Sequence, residues 1–299
     1  RGGAERRRVV GERSSRAEAP PTMAEAPTLA IVQRVGGEPK LGKLCLPRTG
    51  CVLPGGQLVV AEFSAPPATS RLAVLSLERA ELIRHVLPEE RGFESPSALL
   101  LADGGEALIV VESHVLTKLR WPSGAPLARR EESPLARCFC GAALVDGVLY
   151  VADHRTSAIL AFDGGTLHPR RERFGRMHAP PPTYNPNDWF TPEPPLEPDA
   201  LVEPCAVRPH PEGIMCVDVA AKRILVFSVP AGELRREYAG FARPFDAACH
   251  AGFLLVSDGD AVVAVDVASG RHAHRLPLGD ERTWACGLVP LDGAAVCAI

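Results

Sequence analysis

Five acidic residues recur at the ends of short apolar runs and are candidates for binding a cation. Glu62, Glu112, Asp153, Asp218 and Asp258 follow one another at intervals of 50, 41, 65 and 40 residues. A ring of carboxylates supplies the oxygen ligands that Ca²⁺ or another hard divalent cation prefers. Alternatively, each carboxylate accepts N–H bonds in its own turn, as short polar side chains do. We favour the turn role, because one acid per segment suggests a repeated turn device.

Two histidines closely follow acids of this series. His114 comes two residues after Glu112, and His154 directly follows Asp153. A histidine beside a carboxylate could act as a general base or a metal ligand. No G-x-S-x-G motif accompanies them, so we favour solvated loop positions. There they could contact a partner together with Arg155.

Three cysteines stand at equivalent places before apolar runs: Cys140, Cys205 and Cys286. Three thiolates could bind zinc. We favour small buried wedges between sheets, because a free cysteine packs as a small hydrophobe. The nine cysteines of the chain form no CxxC pair, which favours reduced thiols and a cytoplasmic location over a disulfide framework.

A proline-rich segment, 176–203, interrupts the series and accounts for its longest interval. It contains Tyr184, Trp189 and Phe190, in a chain with only 5% aromatic residues. Long loops are uncommon and often functional, and aromatic residues are frequent anchors of interfaces. We therefore predict a partner-binding insert. The alternative is a loop folded down over the centre of the fold with its aromatic residues buried.

Short strands carry these residues. Each acid ends an apolar run of four or five residues, such as 147–153, a length typical of a strand buried on both faces. A second apolar run follows, such as 158–163, and then a turn and a polar strand, such as 272–278. A small-residue segment, such as 140–144, comes before each apolar run.

Four antiparallel strands that grade from small to apolar to polar form one blade of a β-propeller. The C-terminal repeat has only its first two strands, and segments 29–37 and 43–47 align with the missing two. The sequence therefore predicts an all-β, six-bladed propeller over 28–299, closed by strands from both termini in one blade. Antiparallel order places the five acids on one rim, and the insert emerges on that rim.

The blade pattern resembles the NHL-repeat family of six-bladed propellers. The resemblance is carried by Gly147-Val-Leu-Tyr-Val-Ala-Asp153 and Ser157-Ala-Ile-Leu-Ala-Phe-Asp163, with degenerate copies elsewhere between 28 and 299. Arg155 and Thr156 replace the asparagine that the family carries in the turn. A WD-repeat interpretation is weaker, because no Trp-Asp dipeptide closes a third strand. The NHL resemblance implies a propeller with an interaction role.

Composition and short motifs exclude several classes of function. The 299 residues carry 33 basic and 36 acidic side chains, a formal net charge of −3, so a strong electrostatic nucleic-acid binder is not indicated. Segment 1–27 has six arginines and four glutamates without an apolar core, which predicts a disordered leader or a gene-model extension; organelle targeting stays open. No phosphate-binding or dinucleotide-binding motif is present.

The sequence therefore predicts a non-enzymatic binding scaffold, a monomer without a cofactor, that engages a protein or small ligand on the rim with the insert. The alternative is a metal-dependent enzyme like the six-bladed lactonases and lyases, with a divalent cation in the central channel. The Glu-Gly-Pro motif of the lactonases is missing from the first blade, which disfavours this alternative.

Overall fold

Five four-stranded antiparallel sheets make up most of the protein. The computed structural model describes residues 47–62, 70–79, 81–86, 92–177, 196–278, 287–290 and 296–298. In every sheet the strands lie side by side in chain order, so each sheet is one propeller blade. The blades are β1 (Pro47–Leu53) to β4 (Glu81–Val86), β5 (Pro96–Ala102) to β8 (Pro126–Glu131), β9 (Phe139–Val145) to β12 (Pro169–Phe174), β15 (Pro204–His210) to β18 (Leu234–Tyr238), and β19 (Pro244–His250) to β22 (His272–Pro277).

The middle strands are the apolar runs that the sequence predicted. They are β2 (Gln57–Glu62), β3 (Arg71–Ser76), β6 (Ala107–Glu112), β7 (Val115–Arg120), β10 (Val148–Asp153), β11 (Ala158–Asp163), β16 (Gly213–Asp218), β17 (Arg223–Phe227), β20 (Phe253–Asp258) and β21 (Ala261–Asp266). All six residues of β6 are buried, whereas β22 is almost entirely exposed. A continuous apolar run suits a strand covered on both faces, and charged residues suit an outer edge strand.

The core lies between blades rather than inside any one of them. Leu72 and Val74 of blade 1 pack with Leu99 and Val110 of blade 2, and similar apolar clusters fill the next three junctions. Small residues let the inner strands crowd the axis. A Cβ on Gly141 of β9 would lie 2.7 Å from the Cα of Ala206 in β15.

The prediction of six complete blades is wrong for the described residues, which form five. A two-stranded sheet, β23 (Leu288–Pro290) with β24 (Val296–Ala298), occupies the position between blades 5 and 1. Its strand β23 contacts both β19 and β1, so it closes the ring. A sixth blade required strands from 29–37 and 43–47, and residues 1–46 lie outside the described residues. Internal periodicity therefore predicted where a sixth blade would lie, but the described residues do not form a complete sheet there.

The ring has two rims, named here by what they carry. The acid rim holds the ends of the second strands, at Glu62, Glu112, Asp153, Asp218 and Asp258. The opposite rim holds the ends of the inner strands, for example at Leu53 and His210. Among the described residues, no helix is long and apolar enough to cross a membrane.

The insert leaves and rejoins the ring at the acid rim. Its two ends form a short parallel sheet, β13 (Arg176–Met177) with β14 (Ala200–Leu201). The guanidinium of Arg176 lies 3.1 Å from a carboxylate oxygen of Asp199 and 3.6 Å from one of Glu197. The two ends of the insert are therefore held together at its base.

Candidate interaction surface on the acid rim

The acid of blade 3 fastens the end of β10 to the loop that enters β9. Asp153 Oδ1 accepts the backbone N–H groups of Cys138, at 2.9 Å, and of Arg155, at 3.3 Å. Its Oδ2 accepts the hydroxyl of Thr156 at 2.7 Å and lies 3.4 Å from Arg137 Nη1. The side chain is fully buried, so these bonds offset the cost of removing the carboxylate from water.

Three other blades repeat this arrangement. Glu112 accepts the N–H of Glu94, two residues before β5. Asp218 accepts the N–H groups of Val202 and Glu203, directly before β15, and Asp258 accepts that of Arg243, directly before β19; the distances lie between 2.5 and 3.1 Å. The repeated acid is thus a structural link between the second strand and the entry to the inner strand.

Glu62 of blade 1 makes a different set of contacts. Its Oε2 accepts from Arg71 Nε at 2.7 Å and lies 3.3 Å from His85 Nε2. The part of the chain that precedes β1 lies outside the described residues. Within the described ranges, no three histidine, cysteine, aspartate or glutamate side chains form a group that could hold a metal ion. A cation site on the acid rim therefore stays a prediction.

His114, His154 and Arg155 lie on adjacent loops of the acid rim. His154 and Arg155 are exposed, and His114 is half-buried with its Nε2 4.0 Å from a carboxylate oxygen of Glu94. The connection from β8 to β9 bridges the two loops. Glu132 donates its N–H to the carbonyl of His114, and His154 donates to that of Cys138, both at 2.9 Å.

The turn in the middle of this connection presents an exposed leucine. Ala136 and Arg137 both donate their N–H groups to the carbonyl of Ser133, at 2.9 and 3.1 Å. Leu135, which lies inside the turn, is 83% exposed, more than any other large apolar side chain of the described residues. Sequence reasoning missed it, because one leucine between Ser-Pro and Ala-Arg carries no periodic signal. We call Leu135, His114, His154 and Arg155 the rim patch.

The aromatic residues assigned to the insert, Tyr184, Trp189 and Phe190, lie outside the described residues. The described ends of the insert place its base on the acid rim, as expected. Leu196, at the base, is 36% exposed and adds apolar surface there.

Of the three cysteines considered as zinc ligands, two lie in adjacent blades, and Cys286 lies outside the described residues. Burial raises the pKa of the Cys140 thiol, and the neighbouring Cys138 and Cys205 raise it further. Burial likewise raises the pKa of Cys216 well above its usual value. These cysteines are held as neutral thiols, which suits packing rather than nucleophilic chemistry.

The inner strands also carry a charged pair that sequence reasoning missed. Arg208 of β15 donates from Nε and Nη2 to the two carboxylate oxygens of Asp246 in β19, at 2.9 and 2.6 Å. The sequence signal was one arginine in β15 and one aspartate in β19, strands that contain no other arginine, lysine, aspartate or glutamate. Burial opposes the charged form of Arg208, but the Asp246 carboxylate outweighs it and raises the pKa of the guanidinium.

Known proteins resemble this chain in fold but not in sequence. No family model matches it, and no curated protein matches its sequence. Among solved structures, a chain of a nidogen/laminin complex aligns over 82% of this chain and 84% of its own length, with a TM-score of 0.62 and 16% identity. The Pan2 WD40 domain of Neurospora crassa aligns over 81% and 68%, with a TM-score of 0.55 and 8% identity.

A computationally designed protein, Ika8, is a third structural neighbour. It aligns over 84% of this chain and 67% of its own, with a TM-score of 0.51 and 12% identity. At these identities the likeness concerns the fold alone. Together with the five four-stranded sheets, it defines the class of this protein as a β-propeller.

Proposed function

We propose that this protein is a non-catalytic interaction scaffold that engages a protein partner through the acid rim. Propellers present loops from several blades on one rim and are common scaffolds for protein interaction. The rim acids are engaged in bonds to their own loops, which suits a structural role. The loops that they fasten then form a firm platform for a contact surface.

The observation that supports this proposal is the exposure of Leu135 on a turn braced from both sides. An exposed apolar side chain on a rigid turn loses little conformational entropy when it is buried by a partner. His154 and Arg155, exposed on the β10–β11 loop that is bonded to the same connection, add polar and charged groups to the rim patch, the usual composition of an interface rim. The insert, with Tyr184, Trp189 and Phe190, extends the same surface in our proposal.

We also propose a repeat family, a cellular compartment and an oligomeric state for this scaffold. The match of 147–153 and 157–163 to the NHL pattern supports a scaffold of the NHL-repeat type. The six described cysteines are thiols rather than disulfides, which supports a reducing compartment such as the cytoplasm. We propose that the scaffold is a monomer until its partner binds.

The test uses two exposed leucines, Leu135 in the connection from β8 to β9 and Leu127 in strand β8 of blade 2. Leu135→Asp places a charge in the rim patch, and Leu127→Asp makes the same change on the outer strand β8, where Leu127 is 44% exposed. A photo-crosslinker at Ser133 identifies bound proteins in an extract of the source cells. We expect Leu135→Asp to weaken capture by about 2 kcal/mol, roughly thirtyfold in affinity, and Leu127→Asp to leave it unchanged. Equal loss in both variants, or loss in Leu127→Asp alone, would contradict the proposal.

A further inference from the structure

A cavity of about 720 Å³ lies on the propeller axis, towards the opposite rim. Inner strands of blades 1, 2, 4 and 5 and strand β23 line it. Its walls are mostly apolar, with Leu53, Leu99, Ala248 and Leu288 among them, and it reaches the exposed Pro54 at its mouth. Ligand sites of proteins are typically apolar cavities of roughly 300–1,000 Å³ with a few well-placed polar groups.

Among the described residues of this lining, Arg208 is the one that carries a permanent charge. Its side chain is 15% exposed, and Nε and Nη2 are both bonded to Asp246. Nη1 makes no hydrogen bond within the described part of the chain, and this nitrogen is not fully buried. Its N–H groups are therefore accessible donors at the wall of an apolar cavity.

The partner of Arg208 is itself fully engaged. Besides the two bonds from the guanidinium, Asp246 accepts the backbone N–H of Ala247 at 2.9 Å and that of Leu288 at 2.8 Å. The carboxylate is thus held in place by blade 5 and by β23, and it neutralises Arg208. Because the pair carries no net charge, the charge of an anion buried in the cavity would have no counter-charge. A neutral acceptor brings no charge that needs one. A carbonyl oxygen could accept from Nη1 without adding charge.

We propose that the axial cavity binds a small apolar molecule with a neutral carbonyl group, whose oxygen accepts a hydrogen bond from Arg208 Nη1. The apolar walls bury the body of the ligand, and the guanidinium fixes its polar end. The site lies away from the rim patch, so the propeller would carry a small-molecule site in addition to a partner surface.

Fluorescence titration of the whole 299-residue chain tests this site with two naphthalene probes. Prodan is a neutral ketone, and 8-anilinonaphthalene sulfonate is an anion of similar apolar character. We expect prodan to bind with a blue-shifted emission and at least tenfold more tightly than the sulfonate. Absence of prodan binding overturns the proposal, and tighter binding of the sulfonate overturns the neutral class of ligand.

Two variants locate the probe. Arg208→Met combined with Asp246→Asn removes the Nη1 donor, yet keeps an oxygen for the Leu288 N–H and leaves no unpaired charge. We expect it to weaken prodan binding about tenfold, as loss of a hydrogen bond from a charged donor does. Cys249→Trp fills the cavity wall and should abolish binding, while His250→Trp, the next residue but outside the lining, should not.

A melting curve for each variant confirms that it folds. Unchanged prodan affinity in both the paired variant and Cys249→Trp would overturn the site. If the paired variant does not fold, loss of binding in Cys249→Trp but not in His250→Trp still places the probe in the cavity. Equal binding in these two tryptophan variants then contradicts the proposal.

Discussion

The Nζ of Lys118 lies 3.1 Å from the carbonyl oxygen of Gly164, so a lysine of blade 2 is hydrogen-bonded to a turn of blade 3. The same ammonium group lies 2.9 Å from a carboxylate oxygen of Asp103. Its side chain is only 5% exposed although it belongs to a third strand that is otherwise mostly apolar. The bond therefore links two neighbouring blades through their backbone.

Replacing this lysine should destabilise the protein. Lys118→Met keeps the length of the side chain but leaves the Gly164 carbonyl without its donor. We expect a loss of about 1–3 kcal/mol in the free energy of unfolding, measured by urea denaturation. Arg120→Met, on the exposed end of the same strand, is the control and should change stability by less than about 0.5 kcal/mol. Equal effects would show that the link between the blades contributes nothing.

Because the rim acids have a structural role, we expect substitutions of Asp153 to lower the free energy of unfolding by different amounts. Asp153→Asn retains an oxygen that can accept the Cys138 N–H, so we expect a loss of about 1 kcal/mol. Asp153→Ala leaves that donor and the Thr156 hydroxyl without their partner, and should cost at least twice as much. Ca²⁺, Zn²⁺ and EDTA should leave the melting temperature of the wild type unchanged. A shift of several degrees with Ca²⁺, lost in Asp153→Asn, would favour the metal-dependent alternative.

The pH dependence of stability should contain a contribution from His210. Its Nδ1 accepts the N–H of Glu212 at 3.1 Å, and its Nε2 lies 3.3 Å from the hydroxyl of Tyr238, which donates to the carbonyl of Val267. These contacts require the neutral ring with its proton on Nε2. Burial lowers the pKa of His210, against an opposing effect of Glu212 and with a further lowering by Arg236.

Because the folded pKa is lowered, the unfolded chain binds the proton more readily. The stabilisation is fully present above the unfolded value, about 6.5, and is lost as the pH falls through the folded pKa. The loss has a slope of at most about 1.4 kcal/mol per pH unit. In His210→Gln this part should disappear, so stability measured between pH 7.5 and 5 should fall less steeply than in the wild type. Parallel curves would exclude His210 as the titrating group.

Truncation tests how the ring is closed. Strand β24 is the outermost described strand of its sheet, and segment 29–47 is the part of the sequence that aligns with the missing strands. Deletion of 1–22 should leave the melting temperature unchanged. Deletion of 1–46 should lower it by several degrees or prevent folding, because it removes the segment that we predict to pair with the edge of β24. Cooperative melting at the wild-type temperature after the longer deletion would show that closure needs only two strands.

The sequence predicted what is periodic and local. The run 148–153 is apolar at each position up to its terminal aspartate, so both the strand and the place of the acid on the rim could be predicted. The pair of Arg208 and Asp246 could not, because it joins two blades over 38 residues and depends on the angle between them. The exposure of Leu135 could not be predicted either, because no repeat constrains the connection between two blades. The described residues form five complete blades rather than six, because similarity between the two ends of the chain indicates which segments could pair but does not establish a complete sheet.

The parallel pairing of β13 with β14 makes this place in the chain tolerant of insertions and deletions. Arg176 and Ala200 are neighbours across that pair, so any stretch of sequence between them begins and ends at the same place. Lengthening a closed loop is inexpensive, with about 0.6 kcal/mol for each doubling of its length. This junction is therefore a natural grafting point: new segments can be inserted, lost or exchanged there by evolution or by a protein engineer, while the propeller beneath keeps its shape.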